Sequence, residues 1–553
     1  MGRGGILRPR SKFNMKQEIL DQLKQILDKL DLPSDLATVE RQALDKFGDY
    51  STNIAFVLAS KTKQSPQLIA NKIEANFPKN NNIAKVVVVG GFINFYLSES
   101  FFATQILKLT SSNKVTYPLW GKALLARVEF ISANPTGPLH IGNARGGPIG
   151  ETTSRVLEKV GFNVVRDYYH NDIGTQVERL GDSVWYWYQK KYGGTEEFPK
   201  DGYQGDYVSD IAEAVIKTWG NSLIKRCQEA TAKFAKFAVD MVHAQTLTTA
   251  KALGIHYNVV TCESDLLNSG RTAKVLDYLK RNNFTKEQDS AVWFAPKDEF
   301  LEDLECVLVR SDSRPTYFAN DIAYHQLKFE STPDIVIDVL GSNHHGHVPR
   351  LQAAISALGY ESAKFKVLLY QYVRVRKGDT FVKMAKRAGD FVAADEVLKE
   401  VGKDAFNFFM LHNSISTHMD FDLNLAKERS TNNPVYYVQY AHARSANILA
   451  KLERTQELNL DMDTLTTAEE ISLIRKITSL PELVDEVSHN FELHSLAHYA
   501  VSLADSFHRF YEKSPVILPD KSVHPSRALL VKAANIALKE ILLLLNISAP
   551  ARM

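Results

Sequence analysis

The sequence predicts an α/β protein: a doubly wound parallel sheet, preceded by a small α/β unit and followed by an all-α helix bundle. Three observations predict it. Strand-like and helical runs alternate from residue 122 to about 369, as in a parallel sheet whose strands are joined by crossover helices. From residue 424 onward nearly all apolar spacing is helical. The stretch ISANPTGPLHIGNARGG (131–147) stands between a strand-like run and a helix-compatible one, where sheets of this kind bind their ligands.

The elements follow in order. Residues 1–14 are basic and lack the apolar stretch of a secretory signal, so a disordered leader is expected there. Ile19, Leu23, Ile26, Leu27 and Leu30 recur at helical spacing and open a small α/β unit over 15–112. Inside it, KVVVVGGFINFYL (85–97) reads as two β-rich runs split by Gly90 and Gly91, a hairpin or bulge signal. A polar, proline-containing linker leads to the sheet domain, 120–375, with strands expected at 124–131, 163–168, 307–310 and 334–340. The stretch 175–260, rich in Trp, Tyr, Lys and Glu, reads as a helical insertion. Residues 376–424 connect to an all-α domain at 425–553.

A chain of 553 residues calls for roughly three or four domains. Lys and Arg number 66 against 64 Asp and Glu, a net charge of +2. No global positive field advertises nucleic acid, although a basic face balanced elsewhere stays compatible with it. Cys227, Cys262 and Cys306 lack CxxC spacing, which argues against a disulfide framework or structural zinc and fits a reducing cytoplasm. No apolar run approaches the ~20 residues that span a bilayer.

In the 131–147 stretch the prolines and Gly137 shape a tight turn, and the following helix N-terminus offers free N–H groups to an anion. Gly142 removes a side chain where a flat ring could lie against the backbone, while His140 and Asn143 supply donors toward phosphate. No GxxxxGK[ST] loop occurs. The plainer alternative is a proline-rich turn with a satisfied histidine. Far downstream, FVKMAKRAGD (381–390) sets Lys383 and Lys386 three apart around Met384. Alone such a run is a solvated face; with the turn it suits a clamp that neutralises departing pyrophosphate.

HIGN and KMAK resemble the HIGH and KMSKS signatures of class I aminoacyl-tRNA synthetases. The blocks FGDYSTN (47–53), GGFINFYLS (90–98), EFISANPTGPLHIGNARGG (129–147), VLVRSDSRPTYFANDIAYH (307–325), DVLGSNHHGHVPRL (338–351), NPVYYVQYAHAR (433–444) and SAPARM (548–553) resemble bacterial-type arginyl-tRNA synthetases in particular. The resemblance covers nearly all of 15–553. It implies a Rossmann-like, HIGH-type catalytic domain with helical insertion, a small N-terminal domain at the tRNA elbow and an all-α anticodon-binding domain. The implied activity is arginine–tRNA ligation through arginyl-adenylate, with activation dependent on tRNA.

That resemblance places ATP at Pro138, His140, Gly142, Asn143, His344, Lys383, Met384 and Lys386, with His140, Asn143, Lys383 and Lys386 catalytic. A guanidinium is a planar fork of five donors and calls for carboxylates and carbonyl-type acceptors; the implied pocket is Glu129, Ser132, Asn134, His140, Tyr317 and Asp321, with Asn343 or His344. A lone Asp or Glu would otherwise read as a surface charge. The implied tRNA contacts are Phe92 and Asn94 at the elbow and Tyr436, Tyr440 and Arg444 toward the anticodon loop. By pattern alone Phe92 reads as core, and the tyrosines fit bundle core as well as base stacking. Tyr436 and Tyr440 share one helix face, Tyr437 and Arg444 another. The expected partners are tRNA-Arg, L-arginine and ATP carrying Mg2+ as a substrate complex. No protein-bound metal is expected: His344, His345 and His347 have no Cys or carboxylate at ligand spacing nearby. No membrane segment is expected either, and the chain reads as a cytoplasmic monomer.

Two positions depart from the signatures. Asn143 stands where the family has histidine; its amide still donates but cannot take up a proton. Ala385 replaces a serine and loses one hydroxyl. Two rival readings remain. A nucleotidyltransferase would share only the sheet domain, and the long helical C-terminal region opposes it. A non-catalytic RNA-binding relative would explain Asn143 and Ala385, but Glu129, His140, Asp321, Lys383 and Lys386 all oppose it.

Overall fold

The computed structural model describes residues 15–42, 47–296, 305–378, 380–381, 392–452 and 458–553. The leader expected over 1–14 lies outside the described residues.

Helix α1 (Met15–Lys29) buries Ile19, Leu23, Ile26 and Leu27, one stripe as its 3.6-residue spacing requires. Strands β1 (Glu40–Arg41) and β2 (Tyr50–Thr52) precede α2 (Ile54–Thr62) and α3 (Pro66–Ala75). Proline starts α3, and the Ser65 side chain caps it by accepting from the Leu68 amide. Strands β3 (Ile83–Val89) and β4 (Phe92–Leu97) pair antiparallel. They turn through Gly90 and Gly91 at φ 58° and 95°, left-handed values that glycine adopts at little cost. The sheet runs β1-β2-β4-β3, and α4 (Glu99–Ser112) leads onward.

The central unit begins with β5 (Leu125–Glu129), α5 (Ile141–Ala144), α6 (Gly146–Lys159) and β6 (Asn163–His170). Helices α7 (Thr175–Lys191), α8 (Asp206–Trp219) and α9 (Gln228–Ala252) form the expected helical insertion. They enclose a core of their own that includes Leu180, Trp185, Tyr188 and Phe234. There follow β7 (Val259–Cys262), α10 (Glu263–Asn268), α11 (Arg271–Arg281), β8 (Thr285–Gln288), β9 (Ala291–Phe294) and β10 (Cys306–Val309). Helix α12 (Tyr317–Glu330), β11 (Ile335–Gly341), α13 (Val348–Ala357) and β12 (Phe365–Tyr370) complete the unit.

Five strands form one sheet in the order β12-β11-β5-β6-β7, and every pairing is parallel. The chain builds outward from β5 to β7, then crosses to the other flank of β5 with β11 and β12. Strand order therefore reverses between β5 and β11, which opens a crevice at their carboxyl ends. There Glu129 pairs in register with Asp338.

One expected strand lies elsewhere. The run at 307–310 belongs to β10, which pairs antiparallel with β9 in a separate sheet ordered β10-β9-β8. A four-residue apolar strand carries no mark of which sheet it joins. Two strands of the parallel sheet, β7 and β12, were not expected; both are short runs bordering helical segments.

Strands β13 (Val373–Lys377), β14 (Thr380–Phe381) and β15 (Met419–Asp422) make a small sheet around α14 (Ala394–His412) and α15 (Leu423–Lys427). The C-terminal bundle comprises α16 (Pro434–Lys451), α17 (Ala468–Thr478), α18 (Leu480–Asn490), α19 (His494–Lys513) and α20 (Pro525–Leu544). Helix α20 buries Leu529, Leu530, Val531, Ala534, Leu538 and Ile541; apolar on nearly every side, it occupies the bundle's centre. Among the described residues no helix is long and apolar enough to cross a membrane.

Candidate active site

The turn after β5 is built around His140, the N-cap of α5. Its Nδ1 accepts the Gly142 amide at 2.8 Å, so in the neutral ring Nε2 carries the proton and is a donor. A Cβ on Gly142 would lie 2.9 Å from that Nδ1, so a side chain there would push the histidine off its cap. The Asn143 carbonyl accepts from the Tyr370 hydroxyl at 3.3 Å. Pro138, His140 and Asn143 are all half-buried at this edge.

The chain that follows the downstream lysine segment, from Val392 on, pairs with this turn. Ile141 donates its amide to the Val392 carbonyl at 3.0 Å, and Ala394 donates to Leu139 at 2.8 Å. Lys383, Met384, Ala385 and Lys386 themselves lie outside the described residues.

Beside the turn lies a chain of buried charge. Lys328, fully buried on α12, donates to Glu129 and, at 2.7 Å, to Asp338 Oδ1. Asp338 Oδ2 lies 2.8 Å from His325 Nε2, and His325 Nδ1 lies 3.1 Å from Asp321 Oδ1. Asp321 Oδ2 in turn meets His347 Nε2 at 2.5 Å. Burial pushes the Glu129 carboxyl up, against the pull of Lys328. Burial alone would lower Lys328 and His325, but the neighbouring carboxylates outweigh it. They hold Lys328 above its ordinary value and raise His325 to about 9. Asp321 is held well below the usual carboxylate range: hydrogen bonds from His325 and His347 overcome its burial.

The remaining predicted pocket residues sit at the rim. The Ser132 hydroxyl accepts the Tyr169 amide at 3.0 Å, and the exposed Asn134 donates to Gln176 at 3.1 Å. Tyr317, 65% exposed, stands over His347 with ring centroids 5.7 Å apart. Asn343 and His344 occupy the exposed 3-10 turn after β11. The structure brings Asp321 and Tyr317 together around His347, and among the described residues Glu129 is linked to them through Lys328, Asp338 and His325.

On the bundle, Tyr436 and Tyr440 lie nearly parallel, 6.4 Å apart. Arg444 meets His508 at 3.0 Å, and it also donates to the Tyr440 hydroxyl at 2.6 Å and covers that ring at 4.5 Å. A four-residue step along a helix suffices to bring the two together. Tyr437 packs on His508 at 4.8 Å. In the first unit Phe92 is 48% exposed rather than core. It shares a groove of about 280 Å³ with the buried Asn94, Phe47 and Val89. A hairpin-end strand residue shows alternation, but not which face is covered.

Residues 110–448 match the family described as tRNA synthetases class I (R), catalytic domain. The chain belongs to this arginyl-tRNA synthetase family. Residues 14–97 match the arginyl tRNA synthetase N terminal domain, and 438–553 the DALR anticodon binding domain. The arginine–tRNA ligase of Citrifermentans bemidjiense is 37% identical over 528 residues, covering 93% of this chain and 94% of that protein. That of Syntrophotalea carbinolica is 38% identical over 554 residues, covering 98% and 100%. The arginyl-tRNA synthetase structures of Thermus thermophilus (TM-score 0.77, 23% identity, 98% of this chain and 100% of that one) and Plasmodium falciparum (TM-score 0.78, 20% identity, 99% and 100%) share the fold.

Within this synthetase, sequence reasoning missed the cations of the buried chain and one anchor of the turn. Arg145, fully buried, donates to the carbonyls of Gln371 at 2.8 Å, Ser414 at 3.0 Å and Thr417 at 3.1 Å. Burial lowers its guanidinium to about 10. Two signals were available for the rest. Asp338 interrupts the apolar strand IVIDVLG, where a carboxylate needs a partner, and His325 follows Asp321 by one helical turn. Among the described residues no group of three or more His, Cys, Asp or Glu is arranged to hold a metal. The ATP substrate of the family brings Mg2+ with it.

Proposed function

We propose that this synthetase ligates arginine to its tRNA through the residues assembled at the β5/β11 crevice. One observation supports the amino-acid side above others: the charge balance of the buried chain. Glu129, Asp338 and Asp321 face two cations, Lys328 and His325. One negative charge is left over, and Asp321 holds it at the rim, suited to a single guanidinium. Glu129, Ser132, Asn134, Tyr317, Asp321 and Asn343 or His344 would then form the arginine pocket.

The arginine carboxylate attacks the ATP α-phosphate, which gives arginyl-adenylate and expels pyrophosphate. The terminal tRNA hydroxyl then takes the arginyl group and releases AMP. His140 Nε2 and the Asn143 amide donate to phosphate oxygens, while Pro138 and Gly142 shape the floor for the nucleotide. Lys383 and Lys386, flanking Met384, neutralise the leaving pyrophosphate, with Mg2+ carried by ATP. Catalysis is positioning and electrostatics; no protein nucleophile is used. Phe92 and Asn94 meet the tRNA elbow, and Tyr436, Tyr440 and Arg444 the anticodon loop, where exposed rings stack on unpaired bases. The enzyme acts as a cytoplasmic monomer, and activation waits for bound tRNA.

The test is ATP–pyrophosphate exchange with arginine, with and without tRNA-Arg, using lysine as control. Exchange only with arginine and tRNA together supports the whole reading. Equal exchange with lysine overturns the pocket, and tRNA binding without exchange makes the chain a non-catalytic RNA-binding relative.

A further inference from the structure

Both contacts that this reading gives the arginine guanidinium are made in the structure by a side chain of the protein itself. His347 Nε2 lies 2.5 Å from Asp321 Oδ2. Its ring lies 5.7 Å from the Tyr317 ring, tilted by only 31°, while Phe318 abuts it edge-on at 5.2 Å. A guanidinium asks for the same pair: in-plane N–H groups toward a carboxylate, and an aromatic ring over its face. Imidazole is planar and can offer an in-plane N–H in the same way.

The geometry decides which group can yield. Asp321 Oδ1 faces His325, which is 2% exposed and held from behind by Asp338 at 2.8 Å. Oδ2 is the oxygen on the side of His347, whose side chain is 12% exposed. His347 follows the exposed Gly346 and stands just before α13, so a small change at its backbone would swing the ring aside. The groups that face it are Asp321, with His325 behind, Tyr317 on the same helix, and His344 on the turn after β11.

We propose that His347 is an internal competitor of arginine for Asp321 and Tyr317, a residue that sets how tightly the amino acid binds. The proposal rests on the reading that Asp321 and Tyr317 hold the guanidinium. Displacing the imidazole costs the substrate complex and the transition state alike. It therefore raises the arginine KM and leaves kcat unchanged.

The experiment measures L-arginine affinity of the full chain by calorimetry, and arginine and ATP kinetics by exchange with tRNA present. His347→Ala is expected to lower the arginine Kd and KM about threefold to tenfold, with kcat and the ATP KM within about twofold. His347→Gln keeps a donor without the ring and is expected to fall between; it serves the same test if the alanine variant is insoluble. An arginine KM that rises or stays put in both variants overturns the proposal and leaves His347 as a residue that orients Asp321. Asp321→Asn tests the underlying reading separately. It is expected to abolish arginine binding, and retained affinity there overturns the pocket itself.

Discussion

Lys328 is the cation that keeps two carboxylates tolerable inside the sheet, since it reaches Glu129 and Asp338 from a fully buried position. Removing one member of a buried ion group strands its partners without solvent. Lys328→Met is expected to cost about 3–5 kcal/mol in urea unfolding, and a loss near zero would show that the carboxylates simply take up protons. His325 gives a pH signature. Its folded-state value of about 9 stands above its ordinary 6.5. Its contribution is thus fully present below about pH 6.5 and is lost as pH rises through 9. The stability gap between the wild type and His325→Gln should shrink between those limits, which denaturation at successive pH values would read directly. Glu129 and Asp321 were named from the sequence because they stand in recognisable blocks. Lys328 and His325 were not, because on a helix of mixed polarity nothing in the order of residues says which face is covered.

At the scale of elements, the turn from β5 into α5 depends on a glycine for close approach rather than for an unusual dihedral. A Cβ at Gly142 would come 2.9 Å from His140 Nδ1. Gly142→Ala should therefore leave the unfolding midpoint little changed while it lowers exchange at least about tenfold, because it displaces the donor proposed for the phosphate, and a misplaced donor loses most of its effect; unaltered exchange would mean that His140 need not sit on its cap. The alternation of β-type and helical runs told correctly that a parallel sheet exists. It misplaced the strand at 307–310 and passed over β7 and β12. Strand pairing is decided by partners distant in sequence, and a run of four to six residues is too short to declare them.

At the scale of the molecule, the first unit is tied to the C-terminal bundle by polar contacts over long sequence separations. Arg41 donates to the Tyr50 hydroxyl at 3.1 Å and meets Glu482 at 3.4 Å, Tyr50 donates to Glu482, and Arg475 lies 3.0 Å from Asp49. Glu482→Ala leaves Arg41 without that carboxylate, so amides of β2 and β4 should exchange with solvent faster while those of the central sheet do not change. Uniform behaviour across both sheets would mean that the first unit is held by its apolar contacts instead.

The sequence by itself determined the fold class, the family and the position of the tight turn between β5 and α5, because these reside in local spacing and in contiguous motifs. Tertiary structure alone decided that β5 and β11 run side by side, so that Glu129 meets Asp338 and both share Lys328. It also placed His347 on Asp321, a meeting of residues 26 apart in the chain. Buried charges have no pattern of their own along a chain. Their partners are chosen by the packing that removes water from them, and that packing exists only once the sheet and its helices have closed.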